Sequence, residues 1–115
     1  MSYTNLDYLR TITENDTESV REIIVLFLDQ VPEFIENLKK HLANKQYDKL
    51  GNEAHKAKSS VMIMGMDDLG HDLKTLQLDT IKGTGVDTYA PLVSRFEVEC
   101  LAAVEELKIE LRKME

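Results

Sequence analysis

The stretch Ala54-His55-Lys56-Ala57-Lys58-Ser59-Ser60-Val61-Met62-Ile63-Met64-Gly65 holds the side chains best suited to chemistry. Leu50, Ala54, Ala57, Val61 and Met64 recur at three- and four-residue spacing, which makes one apolar stripe of an amphipathic helix. At about 100° per residue, His55 lies roughly 130° round from that stripe, so its imidazole turns to solvent. Lys58 follows one turn later, and Ser59 and Met62 fall near the same face. Gly51, one turn earlier, offers bare backbone. An imidazole with a cation beside it and low side chains around it suits a nucleophile that another protein must reach. An exposed structural histidine fits the same spacing equally well.

The other reactive side chains point to plainer roles. His41 sits near a helix end beside Lys39 and Lys40, and His71 follows Gly70 in a first turn; both read as surface or partly packed histidines. No two histidines stand at i, i+4, and no His/Glu pair recurs, so no metal site is expected. Cys100 falls on an apolar helix stripe and reads as core. Met64 belongs to the core side of its helix, whereas Met62 and Met66 lean towards the His55 face as an apolar docking patch. Asn52, one turn before His55, is the nearest polar residue that could orient the ring. No G-x-G-x-x-G, Walker sequence, Ser-centred elbow or cysteine pair occurs, so any phosphoryl group must arrive on a partner.

Five helices are predicted to position these residues. Asn5 caps a short first helix with Leu6, Leu9 and Ile12 on one side. After the polar break Asn15-Asp16-Thr17, Val20, Ile23, Ile24, Phe27, Leu28, Val31, Ile35, Leu38 and Leu42 form the longest amphipathic run. Pro32 lies inside it and predicts a kink or brief break. The histidine helix runs from Tyr47 to Met64 and ends at Gly65. Asp67 caps the next helix, with Leu69, Leu73 and Leu76 inward. Beyond the loop Lys82-Gly83-Thr84-Gly85, Asp87 or Thr88 opens a last helix with Pro91 in its first turn. Its stripe is Val93, Phe96, Cys100, Ala103, Val104, Leu107, Leu111 and Met114. The expected fold is all-α: an antiparallel four-helix bundle with a short extra N-terminal helix, in one domain spanning residues 1–115.

Composition narrows the function. Of 115 residues, 43% are hydrophobic, enough for one core. The formal charge of −7, from 21 acidic and 14 basic residues, argues against a nucleic-acid surface. Without a run of about 18 apolar residues or a signal-peptide core, a cytoplasmic protein is expected, with no membrane partner. The single cysteine excludes an intrachain disulfide.

His55, Lys58, Ser60 and Gly65 then fall into a specific pattern. It resembles the signature of histidine-containing phosphotransfer (HPt) domains: His-x-Leu-Lys-Gly-Ser, with a glycine ten residues after the histidine. The resemblance covers nearly the whole chain. Ala57 stands where the family has Leu, as a smaller core residue, and Ser59 stands where it has Gly, a replacement that points to altered partner fit. The resemblance implies a phosphorelay intermediate. His55 would accept phosphate through Nε2 from a receiver-domain aspartate and pass it to another receiver, and Lys58 would offset phosphoryl charge. Gly51, Asn52, Ser59, Met62, Gly65 and Met66 would form the docking surface. Partners would be response-regulator receiver domains or a hybrid histidine kinase. A monomer is expected, with no cofactor of its own and Mg²⁺ on the receiver. The alternative is a non-catalytic helical adaptor that docks partners through the same face.

Overall fold

The structure, a computed structural model, describes residues 2–114. The described chain is helical with no strand: α1 Asp7–Ile12, α2 Thr17–Ala43, α3 Tyr47–Ile63, α4 Asp67–Lys82 and α5 Val86–Lys113. Loops this short force sequential long helices to run antiparallel. In the bundle, α2 packs on α3 and α5, and α4 packs on α3 and α5, so the four long helices enclose one core. The result measures 45 × 24 × 21 Å. Among the described residues no helix is long and apolar enough to cross a membrane.

Each helix stops for a local reason. Asp16 accepts from the backbone N–H of Ser19 and so caps α2. At the end of α3, Gly65 adopts φ +75, its N–H bonds the Met62 carbonyl and the Met66 N–H bonds the Val61 carbonyl. That is a Schellman closure, which needs a left-handed residue after the cap. Lys45 closes α2 with the same pair of bonds despite carrying a side chain at φ 54. Three sequence expectations shift. Pro32 is exposed within an unbroken α2, on a side where water can satisfy the Leu28 carbonyl. Asp67 is the first residue of α4 and not its cap, because Met66 takes the preceding position. The last helix opens at Val86, which leaves Pro91 beyond its first turn.

The predicted stripes of α2 and α5 meet in the interior. Val20, Ile24, Phe27, Val31 and Leu38 pack with Val93, Phe96, Cys100, Ala103 and Leu107. Phe34, which the spacing left out, is buried and meets Phe96 edge-on at 6.5 Å. Burial pushes the Cys100 thiol up to about 12, with Glu99 adding to the shift. A thiol held protonated in a core is a poor nucleophile, so Cys100 serves packing.

The tightest helix pair is α3 with α4, and two glycines permit it. A Cβ on Gly51 would stand 2.0 Å from Thr80 Oγ1, and one on Gly70 would stand 2.2 Å from Met62 Sδ. Each helix thus contributes one residue without a side chain where the other comes closest. Gly51 was expected to lower the surface beside His55. It is buried instead, turned about 40° from His55 and into the α4 interface.

The N-terminal segment is strapped across one end of the bundle. Glu106 on α5 accepts from the N–H groups of Tyr3 and Thr4 at 2.6 and 3.1 Å and from the Thr4 hydroxyl at 2.9 Å. Asn5 then donates its N–H to the Met64 carbonyl at 2.9 Å. Its side chain accepts from the Asp7 N–H, but Leu6 and not the expected Asn5 takes the cap position of α1, one residue later. Leu9 anchors α1 in the core.

Candidate functional site

His55 lies mid-way along α3 with its side chain exposed. Its helix is fixed from three directions. Leu50, Ala54, Ala57 and Val61 are buried below it, Ser60 bonds Gln30 on α2 at 3.0 Å, and Gly51 seats against α4. The ring is fixed as well. Nδ1 lies 3.2 Å from Gln77 Oε1 on α4. An amide oxygen can only accept, so Nδ1 carries the proton and donates. The lone pair of the neutral ring is then on Nε2.

The residue that orients the ring is Gln77 and not Asn52, which is exposed. Sequence reasoning missed Gln77 because the partner comes from another helix, and only the α3–α4 register brings it opposite. Gln77→Ala is expected to slow phosphoryl uptake on His55 about tenfold, since it frees both the tautomer and the ring angle. Its melting temperature should stay within a few degrees of wild type. Unchanged uptake, followed by labelled phosphate, would show that the hydrogen bond has no part in the chemistry.

Around the ring the predicted residues separate. Ser59 is exposed, Lys58 and Met62 are half-buried, and all three line an open groove of about 790 Å³. Gly65 also lines it, with Asn5 of the strap and Asp7 and Tyr8 of α1 forming one wall and His71 and Lys74 of α4 another. Met66 does not belong to the surface. It is 4% exposed and sits in the core, because the Schellman turn directs the residue after Gly65 inward. On the other flank, Ile23, Leu26, Phe27 and Gln30 of α2 line a smaller apolar hollow that also touches Ser59. Leu26 is 55% exposed there, an apolar side chain the sequence reading had not singled out. His41, half-buried at the end of α2, and His71, exposed at the start of α4, lie on other helices than His55.

Fold and face together define an all-α bundle that presents one oriented imidazole beside a groove. A family model described as "Hpt domain" matches residues 22–113, and the chain belongs to that family. Phosphotransfer in two-component signalling is therefore its general role, and domains of this family interact with receiver domains and histidine kinases. No curated protein and no solved structure gives a significant match to the chain.

Proposed function

We propose that the chain is a phosphorelay intermediate in the cytoplasm, acting as a monomeric unit over residues 1–115 with His55 as phosphoacceptor. The observation that carries this reading is the 3.2 Å Nδ1–Gln77 contact, which leaves Nε2 as the free, basic nitrogen at an exposed position. Nε2 attacks the phosphorus of an aspartyl phosphate on a receiver. The Nε2–P bond forms, the P–O bond breaks, and the aspartate leaves as a carboxylate with the bonding electron pair. The ring becomes a phosphoimidazolium whose Nδ1–H still donates to Gln77, now to a fuller effect because the donor is charged. Attack by the carboxylate of a second receiver on the same phosphorus reverses the step. Lys58, one turn from the ring, offsets the charge on the phosphoryl oxygens. The Mg²⁺ of the reaction belongs to the receiver's aspartate site, and this chain is a carrier and not a self-sufficient enzyme.

Docking on this reading centres on Asn52, Ser59, Met62 and the Gly65 turn, with Leu26 on the far flank. Incubation with a panel of phosphorylated receiver domains tests the assignment. Uptake of one acid-labile, base-stable phosphate on His55 is the expected result. A protein that binds receivers and never takes phosphate would be an adaptor. Ser59→Arg is expected to slow uptake from the best receiver at least tenfold, because a long side chain stands one turn from the ring where the partner must close. Labelling by a small phosphodonor should persist, and the melting temperature should hold, since Ser59 is exposed. Equal losses with both donors would mean that Ser59 acts on His55 itself.

A further inference from the structure

The α3–α4 register places a second lysine at the reactive face. Gly51 lies against Thr80, His55 bonds Gln77, and Met62 lies against Gly70. The helices run antiparallel, so a step of three or four residues up α3 is the same step down α4. Between the His55–Gln77 level and the Met62–Gly70 level, that register sets Lys58 directly across from Lys74. Independently, both side chains line the same groove. Packed helices stand about 8–10 Å apart, and each lysine carries a flexible four-carbon stem. The Lys58–Lys74 level is about 4.5 Å along the axis from His55. Both ammonium groups can therefore reach a group held on Nε2.

Neither lysine is engaged elsewhere. Among the described residues the ion pairs are Lys39–Glu97, Arg95 with Asp72 and Glu99, Lys108–Glu105 and Lys113–Glu110. Of the acids that line the groove, Asp7 opens α1 and Asp67 sits in the first turn of α4, about two turns from Lys74. In a chain of net charge −7, two unpaired cations at one level of the α3–α4 pair, on one groove and one turn from the nucleophile, form a local site for an anion.

We infer that Lys74 is a second phosphoryl-binding residue, which closes with Lys58 on the dianionic phosphoryl group of phospho-His55 from the α4 side. This rests on the reading of His55 as phosphoacceptor. The transfer step itself is the one already written; Lys74 adds no bond and moves no proton. It supplies charge to the three oxygens as the phosphorus passes between nitrogen and carboxylate.

The test uses the full chain labelled by a small phosphodonor, so that no receiver contact enters. Wild type, Lys58→Ala, Lys74→Ala, Lys74→Arg and the control Lys56→Ala are compared for labelling rate, phosphohistidine lifetime and the ³¹P-monitored second ionisation of the bound phosphoryl group. One unit-charge contact in water is worth about a fivefold effect. Lys74→Ala should therefore slow labelling and shorten the lifetime by roughly three- to tenfold and raise the phosphoryl ionisation by about half a unit. Lys74→Arg should restore most of each, and Lys56→Ala should change none. Wild-type labelling rate, lifetime and ionisation in Lys74→Ala would overturn the inference. A wild-type chain that takes no phosphate on His55 from any donor would overturn the phosphoacceptor reading and the clamp with it.

Discussion

His55→Gln is expected to abolish labelling by a phosphorylated receiver outright, while helical content is unchanged and the melting temperature moves by no more than a few degrees. The two halves of this outcome have separate causes. Loss of labelling is complete because the substituted amide cannot do the work of Nε2, its nitrogen having no lone pair to offer phosphorus, and because His41 and His71 lie on other helices. Stability is spared because the imidazole is exposed and its one hydrogen bond, to Gln77, is worth about 1 kcal/mol at most. The glutamine side chain can also regain part of that bond. Mass spectrometry of the labelled protein decides the point. Phosphate persisting on His41 or His71 would move the site to another helix, and a collapse in melting temperature would give His55 a structural duty that its exposure contradicts.

What could be read in the sequence follows from how local each feature is. A helix stripe needs only neighbours three and four residues away, so Val20 to Leu38 and Val93 to Leu107 were legible, and so was the outward turn of His55. The stop at Gly65 was legible for the same reason, since a glycine after an apolar run meets the left-handed demand of a Schellman closure. Features that depend on two helices meeting were not. Gln77 is one polar residue among several on α4 until the register puts it opposite His55. Gly51 read as open surface because its interface with Thr80 has no sequence signature. Met66 read as surface because helical periodicity was carried past Gly65, where the chain has already left the helix. Tyr89 went unmarked, yet it is buried, donates its hydroxyl to the Thr84 carbonyl at 2.7 Å and meets Tyr47 edge-on. At Gln77 and Gly51 a tertiary contact overrides a local pattern; at Met66 a turn ends the pattern.

The same distinction sets the outcome at Gly65. Gly65→Ala is expected to lower the melting temperature by roughly 8–15 °C, from a loss of about 2–4 kcal/mol. Part of that loss is backbone strain, because a residue with a Cβ at φ +75 is disfavoured by about 1 kcal/mol. The rest comes from the strap. A Cβ on Gly65 would stand 2.2 Å from the carbonyl oxygen of Asn5 and 2.9 Å from its nitrogen, and backbone atoms cannot swing aside as a side-chain tip can. Residues 3–6 must lift, and the 2.9 Å bond from Asn5 N–H to the Met64 carbonyl goes with them, for about another 1 kcal/mol. Gly83 supplies the control. It has nearly the same φ, +71, with nothing within 4 Å of its would-be Cβ, so Gly83→Ala should show the strain alone. Thermal melts of the two variants in parallel separate the terms, and equal drops would mean that the close approach at Asn5 is relieved freely. The lifted strap also carries Asn5 and leads into Asp7 and Tyr8 of α1, one wall of the groove beside Ser59 and Met62. Below its lowered melting temperature, Gly65→Ala should therefore lose receiver-dependent uptake by about tenfold while a small phosphodonor still labels His55 at close to the wild-type rate.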